Sequence, residues 1–294
     1  MFSVLFAAAL AYLLARTLLL RLHSLTGATH RLASGNYASR VPETSQDELG
    51  ALARDFNHLA QALEHTERAR RNFMADISHE LRTPLAVMRA EVEAIQDGIR
   101  PLTQAALEPI AQQIGQLGKL VNDLHDLSLT DVGALTYRRE PLNLTLLLPA
   151  LLDSMQARFH AAGLQLSWRL ASTPLMVDGD ERRLQQLVVN LLENALRYTD
   201  RGGEVRVTAE RAGGQISLLF DDSPPGVDAA KLPRLFERFY RTEGSRNRNS
   251  GGSGLGLAIC RNIVEAHDGQ ISASASPLGG LRIAVTLPGA GKNL

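Results

Sequence analysis

The pattern of apolar residues divides the chain into four regions, and the first is an apolar segment at its start. Residues 1–15 contain no charged side chain, and Leu18, Leu19 and Leu20 continue the run after Arg16. A helix needs about 20 apolar residues to cross a bilayer, so this shorter run predicts the last part of a membrane span. A signal peptide is the alternative, but its positive charge would precede the apolar run.

The charges that follow predict the side of the membrane on which the chain lies. Residues 1–42 include four arginines and no acidic residue. An excess of basic residues beside a span marks the cytoplasmic side. We therefore expect a cytoplasmic chain with a membrane anchor, and further sequence upstream of it. The arginines are Arg16, Arg21, Arg31 and Arg40.

The second region, residues 22–66, contains two short helical patterns separated by a polar connector. Leucines mark the first pattern, and a 4-3-4 spacing typical of a coiled-coil seam marks the second. The marking residues are Leu22, Leu25 and Leu32 in the first pattern and Leu52, Phe56, Leu59 and Leu63 in the second.

The third region, residues 67–128, predicts a helical hairpin. An apolar stripe at helical spacing is followed by the turn sequence D-G-I-R-P at 97–101, and then by a second stripe. Pro109 falls within the second stripe and leaves the start of that helix undetermined. Two helices cannot bury both stripes, so we expect a dimeric four-helix bundle. The stripes are Phe73, Ile77, Leu81, Leu85, Met88, Val92 and Ile95, then Leu107, Ile110, Ile114, Leu117, Val121 and Leu124.

From residue 136 onward the pattern changes to a mixture of strands and helices. Residues 204–210 alternate between apolar and polar side chains, as expected for a strand with one buried face. Helices grouped on one face of a mixed sheet are the expected arrangement. Strands are predicted at 204–210, 215–220, 269–275 and 281–287, and helices at 144–162, 181–198 and 255–267.

Charge and cysteine content exclude some classes of function. The 294 residues include 31 basic and 31 acidic side chains, so the formal net charge is zero and no broad basic surface is available for nucleic acid. Cys260 is the single cysteine, so an internal disulfide cannot form. It follows an apolar helical run, and we expect a buried structural residue rather than a nucleophile.

His79 is the histidine whose neighbours indicate chemistry. It lies two residues from both Ile77 and Leu81, so on a helix it points about 200° away from that stripe, toward solvent. Glu80 can hold or remove an imidazole proton, which leaves the other ring nitrogen free to attack phosphorus. The Thr83 hydroxyl, one turn further, could position a water. The alternative is a histidine with no chemical role.

The predicted helix at 181–198 carries groups suited to phosphate and metal. Asn190 and Asn194 are four residues apart and share one helix face. Amide oxygens are hard ligands that suit Mg²⁺ and lie close to phosphate oxygens in such sites. Arg197 follows within one turn and can reach a phosphate. Either asparagine alone would be explained equally well as a capping or solvated residue.

Two further segments extend this predicted site. In F-D-D-S-P-P-G-V at 220–227, a carboxylate at the strand end can accept a hydrogen bond from an exocyclic amine such as that of adenine, and Gly226 lets the ring approach the backbone. Taken alone, this segment is equally well explained as an acidic turn. Gly252, Gly254 and Gly256 precede a helix whose N-terminus favours anions. No Lys-Ser/Thr pair follows, which excludes a Walker loop, and the position late in the chain argues against a dinucleotide fold.

Six segments in this order resemble the motifs of the sensor histidine kinase family, over essentially the whole chain. Each motif alone is weak to moderate, but six in register are specific. They are D-E-L-G at 47–50 for a HAMP-like relay, S-H-E-L-R-T-P-L at 78–85 for the H box, N-L-L-E-N-A at 190–195 for the N box, D-S-P-P-G at 222–226 and G-S-G-L-G-L at 252–257 for two glycine boxes, and F-E-R-F-Y-R at 236–241 for the F box.

The resemblance implies a role for each matching residue. His79 would be the phosphoacceptor, Glu80 its base, and Thr83 the position linked to phosphatase activity. Asn194 would be the main Mg²⁺ ligand. The other implied nucleotide contacts are Asn190 near the phosphates, Arg197 on a phosphate, Tyr198 beside adenine, Asp222 on the adenine amine, Gly226, Gly252, Gly254, Leu255, Gly256 and Leu257 in the glycine boxes, and Arg238 and Arg241 on the side of a polar lid at 241–251.

The resemblance also implies the fold, the cofactors and the partners. The expected fold is an all-α HAMP-like relay and a dimeric four-helix-bundle hairpin, followed by an α/β sandwich of the GHKL (Bergerat) ATP-binding type. ATP and Mg²⁺ are the implied cofactors, and a response regulator and a second copy of the chain are the implied partners. The expected location is the inner membrane, with a sensor domain upstream. The expected divisions are the end of a transmembrane helix at 1–20, the relay at 21–66, the dimerisation and phosphotransfer hairpin at 67–130 and the catalytic ATP-binding domain at 136–290.

Two departures from the family pattern limit what the resemblance implies. The first glycine box has Pro224 where glycine is usual, which leaves the backbone path of the adenine turn undetermined. Arg21 stands about where the relay commonly has a proline, so the segment that joins the membrane span to the relay departs from the family pattern.

Two other functions are weighed against kinase activity. A GHKL ATPase that drives a clamp would not need an exposed His-Glu pair on a dimerising hairpin. A nucleotide-binding adaptor would have lost the phosphoacceptor or the N-box amides, and both are present.

Overall fold

The computed structural model describes residues 1–44, 46–131, 136–242 and 252–290. The chain divides into two compact units, residues 1–79 and residues 80–294. Helix α2 contributes to both, because it runs without interruption from Glu48 to Gln96.

The first unit begins with a long apolar helix. Helix α1, Phe2–Ala33, contains an 18-residue window with a mean hydropathy of 2.0, none of which is buried. By length and composition this helix can cross a bilayer. Its exposed apolar side chains distinguish it from the buried core helix of a soluble protein.

The end of α1 and the start of α2 share a small core. Asn57 on α2 holds the connector, since its Oδ1 accepts from the Val41 N–H and its Nδ2 donates to the Val41 carbonyl, both at 2.9 Å. Small side chains let the two helices approach closely. The core consists of Ala28, Leu32, Val41, Ala53, Phe56 and Ala60.

This core differs from the predicted seam on α2. Phe56 is buried as expected, but Leu52, Leu59 and Leu63 are exposed in the single chain. The buried face is made by alanines one residue further along, Ala53 and Ala60. The exposed leucines therefore form a second apolar face of the relay, which the described residues of one chain leave uncovered.

The predicted boundary between relay and hairpin at residues 66 and 67 has no structural break. Neither glycine nor proline occurs between Gly50 and Pro84, so nothing in this stretch interrupts the helix. Exposed ion pairs one turn apart, Glu64 with Arg68 and Glu67 with Arg71, support it there.

The hairpin forms where it was predicted. Gly98, with a φ of 71°, follows the end of α2 at Gln96. Helix α3, Gln104–Asp131, then begins at a cap, because the Thr103 hydroxyl accepts from the Ala106 N–H at 3.2 Å. This cap settles the start that Pro109 left undetermined, and the proline lies in the second turn of the helix.

The α/β region has two sheets. A five-stranded sheet has the order β2-β4-β5-β7-β6, with β2 and β4 parallel and the other pairs antiparallel. A two-stranded antiparallel sheet joins β1 and β3. The strands are β1 Glu140–Asn143, β2 Gln165–Leu170, β3 Met176–Gly179, β4 Glu204–Ala212, β5 Gln215–Asp222, β6 Gln270–Ala275 and β7 Leu281–Pro288.

Three helices pack on the five-stranded sheet and enclose its core. Two have side-chain caps, at Asn143 and at Asp180, where a side-chain oxygen accepts from a backbone N–H of the first turn. Alternate residues of β4, namely Val205, Val207 and Ala209, are buried as the pattern predicted. The helices are α4 Leu144–Ala161, α5 Glu181–Tyr198 and α6 Gly256–Ala266, and a 3₁₀ helix spans Ala229–Phe236.

The fold confirms the expected class and adds elements that the pattern missed. Helices α4, α5 and α6 and strands β4 to β7 lie within a few residues of their predicted bounds. Strands β1, β2 and β3 and the 3₁₀ helix were not predicted. Cys260 on α6 is fully buried, as expected, and burial raises the pKa of its thiol, so it is a structural residue.

Candidate functional site

A cavity of about 720 Å³ lies in the second unit and brings together most of the predicted nucleotide contacts. Arg238 and Leu255 are not in its lining, and Leu255 is fully buried in the core. The predicted residues that line it are Glu80, Thr83, Asn190, Asn194, Arg197, Tyr198, Asp222, Gly226, Arg241, Gly252, Gly254, Gly256 and Leu257.

Helix α5 supplies the two amides. Its apolar face, including Leu187 and Leu191, is buried in the core, which turns Asn190 and Asn194 toward the cavity. Asn190 is only 8% exposed, and its Nδ2 has no hydrogen-bond partner within the described part of the chain. A buried amide donor without a partner costs about 1–3 kcal/mol, so the site is built to receive an acceptor oxygen.

The end of α5 and the second glycine box fit closely together. A side chain at Gly252 would collide with the Arg197 guanidinium and would lie 3.5 Å from the Tyr198 hydroxyl. Gly254 has a φ of +70°, and its carbonyl accepts from the Phe239 N–H at 3.0 Å. These two glycines therefore bring the F box and the basic end of α5 to one wall of the cavity.

The N-terminus of α6 is the open part of this wall. An added side chain at Gly256 would meet no atom within 4 Å. The first N–H groups of a helix lack intrahelical partners and favour anions. The cavity therefore offers a phosphate-sized anion both backbone N–H groups and Arg197.

Asp222 ends strand β5 and also lines the cavity. The residue is 5% exposed, and its Oδ1 accepts from the Leu281 N–H at 2.5 Å. Burial raises the pKa of Asp222 to about 7, since the Leu281 N–H opposes the shift only partly and the charge of Asp221 adds to it. Asp222 is thus a desolvated carboxyl that titrates close to neutral pH.

The turn after Asp222 has a defined path despite Pro224. The bond between Pro224 and Pro225 is cis. Gly226 lies against the turn that precedes β7, where an added side chain would be 3.3 Å from the Gly280 carbonyl. The first glycine box is therefore held against this second turn, beside the Asp222 carboxyl.

The second helix of the hairpin forms a wall of the cavity that the sequence did not predict. Helix α3 contributes Lys119, Leu120 and Asp123. Asp123 is 6% exposed, and burial raises its pKa to about 6; Lys119 opposes this shift, whereas the nearby carboxylates add to it. The spacing did hold a signal, because Asp123 shares a helix face with Leu120 and Leu127, which are both buried.

Ion pairs on either side of Asp123 tie α3 to the α/β region. Glu193 of the N box accepts from Lys119 and, at 3.4 Å, from Arg158. Asp126 accepts from both terminal nitrogens of Arg183, at 2.5 and 3.1 Å. These pairs fix the hairpin wall of the cavity by polar contacts that can exchange with water.

His79 is exposed on α2, as its helical position predicted. It belongs to the first unit, whereas Glu80 and all the other residues of the cavity belong to the second. Of the predicted lid, only Arg241 and Thr242 lie within the described residues, and both line the cavity. Residues 243–251 lie outside them.

The donor set fits a nucleotide-bound metal better than a protein-bound one. Within the described ranges, no group of three or more His, Cys, Asp or Glu side chains could hold a metal ion. Asn194 offers a single amide oxygen to the cavity. A Mg²⁺ ion there would need most of its six oxygen ligands from phosphates and water.

Family models match three parts of the chain in the order predicted. Residues 13–65 match the HAMP domain, and residues 69–133 match the His Kinase A (phospho-acceptor) domain. Residues 179–291 match the histidine kinase-, DNA gyrase B- and HSP90-like ATPase domain.

Curated relatives match along almost the whole chain. The signal transduction histidine-protein kinase BaeS of Escherichia coli K12 is 54% identical over 97% of this chain and 61% of its own length. The sensor protein SphS of Synechococcus elongatus is 37% identical over 83% of this chain and 60% of its own length. The chain thus spans about three fifths of the length of these relatives.

Solved structures show the same architecture. The Acinetobacter baumannii histidine kinase AdeS has a TM-score of 0.61 at 26% identity, covering 72% of this chain and 98% of its own. Histidine kinase ThkA, solved with the response regulator protein TrrA, also has a TM-score of 0.61, at 18% identity, covering 79% of this chain and 67% of its own. At this lower identity the likeness concerns the fold alone.

Proposed function

Because the chain belongs to the sensor histidine kinases, we propose that it transfers the γ-phosphoryl group of ATP to His79 and then to an aspartate of a response regulator. The observation that carries this proposal is the cavity, whose lining combines the unpartnered Asn190 Nδ2, Arg197, the N-terminus of α6 and the buried Asp222 carboxyl. Such a site suits a ligand with phosphates at one end and an amine-bearing ring at the other.

Nucleotide binding divides between the two walls. The Asn190 Nδ2 and the Arg197 guanidinium donate to phosphate oxygens, and the α6 N-terminus adds its N–H groups. Asp222 accepts from the exocyclic amine of adenine through the oxygen that Leu281 leaves available. Asn194 would hold Mg²⁺, which when bound supplies charge neutralisation at the phosphates.

In the transfer step a ring nitrogen of His79 attacks the γ-phosphorus. The bond from that phosphorus to the bridging oxygen breaks, and ADP leaves with the bonding electrons. Glu80, the next residue along α2, holds the imidazole proton on the other nitrogen, so that the attacking nitrogen keeps its lone pair. Phosphohistidine then passes the phosphoryl group to a carboxylate of the response regulator.

Thr83 is proposed to take part in removing the phosphoryl group from the response regulator. It lies one turn beyond His79 and lines the cavity. A hydroxyl there can orient a water toward an acyl phosphate on the partner protein, which would give phosphatase activity.

The apolar side chains that remain exposed on the hairpin support a homodimer. Leu107, Ile114 and Val121 recur every seven residues on α3 and are exposed in the single chain, as are Leu85 and Val92 on α2. A second copy would cover both stripes in a four-helix bundle. In the same way, α1 would anchor the dimer in a membrane, with the rest of the chain on the cytoplasmic side.

Autophosphorylation with labelled ATP and Mg²⁺ tests the proposal, using the chain in detergent micelles. The native chain should take up acid-labile, alkali-stable label, and His79→Gln and Asn194→Ala should not. His65→Gln is the matched control, because His65 is another exposed histidine on α2 and should be without effect.

Each alternative has its own outcome. Equal labelling of His79→Gln and the native chain would reject His79 as the phosphoacceptor. ATP hydrolysis without label in any variant would indicate a GHKL ATPase, and nucleotide binding without either reaction would indicate an adaptor.

A further inference from the structure

Two adjacent carboxylates end strand β5, and only one of them has a place in the proposed binding site. Consecutive residues of a strand point to opposite faces of a sheet, so Asp221 and Asp222 have different surroundings. Asp222 lines the cavity, whereas Asp221 does not. Both are buried, since Asp221 is only 3% exposed.

Asp221 forms a bidentate ion pair with Arg282 on the neighbouring strand. The two residues lie directly opposite each other as the last pair of the β5–β7 ladder. The Nε of Arg282 donates to Oδ1 at 2.6 Å, and its Nη2 donates to Oδ2 at 2.9 Å. A fork-to-fork pair of this kind fixes geometry as well as charge.

The ion pair is connected to Asp222 in two ways. Leu281, which precedes Arg282 in β7, donates its N–H to Asp222 Oδ1, so holding Arg282 in register also holds this donor in place. In addition, a bare charge on Asp221 would oppose ionisation of the neighbouring carboxyl. Arg282 carries the opposite charge and pairs directly with Asp221, so it opposes this repulsion.

We propose that Arg282 is a specificity-determining positioning residue, which acts through Asp221 and Asp222 to select adenine over guanine nucleotides. This inference rests on the proposed function, in which Asp222 accepts from the adenine ring. An ionised carboxylate only accepts hydrogen bonds, whereas a protonated one also donates. Adenine presents an amino donor at position 6, and guanine presents a carbonyl acceptor there. Ionised Asp222 therefore favours adenine, and protonated Asp222 loses that preference.

The charged surroundings set the pH at which this preference changes. With burial and Asp221 raising the pKa of Asp222 to about 7, removal of Arg282 leaves the Asp221 charge uncompensated and moves this pKa further upward. The other groups on the elements around Asp222 stay in place. They are Arg206 on β4, Arg197 and Tyr198 on α5, Arg241 after the F box, and Lys119 and Asp123 on α3.

The test measures the ratio of ATP to GTP affinity between pH 5.5 and 8.5. Each nucleotide displaces a fluorescent ATP analogue from the full chain in detergent micelles with Mg²⁺. The ratio is the right quantity, because titration of the phosphates and binding of Mg²⁺ affect both nucleotides alike. In the native chain the preference for ATP should rise as pH increases through about 7, where Asp222 ionises.

Four variants separate charge from structure. Arg282→Gln should lower the preference at pH 7 by roughly threefold to tenfold, and should move its rise to higher pH. Arg282→Lys should restore the native profile, because it keeps a positive charge beside Asp221. The double variant Asp221→Asn with Arg282→Gln removes the Asp221 charge that helps to raise the pKa of Asp222, so its rise in preference should return to the native pH or move below it. Arg206→Gln is the matched control, since Arg206 lies opposite Asp221 on β4 but pairs with Glu204.

The outcomes distinguish this inference from the proposed function. If the native chain binds ATP over GTP and Arg282→Gln keeps the native pH profile, the inference is wrong and the proposed function stands. If Arg282→Gln weakens both nucleotides equally at every pH, Arg282 has only a structural role. If the native chain binds neither nucleotide, the proposed function itself fails.

Discussion

The α/β region and the hairpin differ in how they use their apolar residues. In the α/β region the helices and the sheet bury each other, and side chains such as Leu148 and Leu218 are almost inaccessible. Helix α3 instead has two apolar faces. One face, with Leu120 and Leu127, joins the core of the α/β region, and the other, with Ile114 at 58% exposure, remains open.

This difference separates a region held by apolar burial from a contact held partly by ion pairs. Apolar burial in the α/β region is cooperative and keeps Asn190, Asp222 and the glycine boxes in one arrangement. The contact with α3 combines a few apolar side chains with the ion pairs of Lys119 and Asp126, which water can replace when the surfaces separate. We therefore expect nucleotide binding to depend on the apolar core, and we propose that regulation acts at the contact with α3.

The largest expected effect on stability tests the buried core of the α/β region. Leu148→Ala removes a fully buried side chain between α4 and the sheet. Large-to-small substitutions of this kind cost about 3 kcal/mol, and we expect that loss in denaturant unfolding of the α/β region. Leu146→Ala on the same helix is the control. Leu146 is exposed, and its truncation should change stability by less than about 0.5 kcal/mol. Equal losses for both variants would contradict the packing described for α4.

The next effect tests the open face of the hairpin. Ile114→Lys places a charge where a second copy would pack, and burial of an unpaired charge is strongly unfavourable. We expect the dissociation constant of the dimer to increase at least about tenfold, measured by sedimentation in detergent micelles. The helical content should not change, because residue 114 is exposed in the single chain.

Gln112→Lys is the matched control for that experiment. Gln112 is exposed on α3 and lies about 200° around the helix from Ile114. A dimer that dissociates equally in both variants would indicate a general effect of charge and not an interface at the open face.

The same contrast explains what the sequence could predict. Strands such as β4 and helices such as α5 have strong periodicity, and their bounds follow from alternation, from the cap at Asp180 and from the glycines that follow. Strands β1 and β3 have four residues each, and β1 contains Pro141, so neither has a period to detect. Five of the six motifs contribute residues to the cavity, and each can be detected because its own residues are close in sequence.

The rest of the cavity depends on long-range packing. Asp123 meets the N box across about 70 residues of chain, and Arg282 meets Asp221 across 61. The only local signal for Asp123 is the helix face that it shares with Leu120 and Leu127, and this face does not show what the carboxyl packs against. Likewise, the residues of the exposed face of α3 lie one position along the sequence from those of its buried face. Only the fold decides which of these two stripes faces the core.

The third prediction concerns the buried carboxyl of Asp123, where α3 meets the α/β region. Burial raises the pKa of Asp123 to about 6 in the folded chain. The contribution of this carboxyl to the free energy of unfolding is therefore fully present below the unfolded pKa near 4, and it is lost as pH rises through 6. Asp123→Asn should therefore be more stable than the native chain by about 1–2 kcal/mol at pH 8. The difference should disappear near pH 4. Unfolding by urea at these two pH values measures it, and a difference independent of pH would exclude Asp123 as its cause.

The smallest expected effect comes from the ion pair between Asp126 and Arg183. Its contribution to stability depends on pH with the opposite sign to that of Asp123. Burial alone would raise the pKa of Asp126, but hydrogen bonds from Arg183 and Gln186 outweigh it and hold this pKa below its usual value. The stability that the pair contributes is therefore present above the unfolded pKa near 4, and is lost as pH falls through the lower folded value.

A double-mutant cycle with Asp126→Asn and Arg183→Gln isolates this contribution. We expect a coupling energy of about 1 kcal/mol at pH 7, because the pair is bidentate but only half-buried. The coupling energy should decrease below pH 4, as Asp126 becomes protonated. In that pH range Asp123→Asn should no longer change the stability. If the pair holds α3 against the α/β region during signalling, each single variant should also change the autophosphorylation rate while leaving ATP affinity unaltered. A change in ATP affinity would instead show that the Asp126–Arg183 pair supports the cavity itself. The contact that exchanges with water would then have to be sought elsewhere on α3.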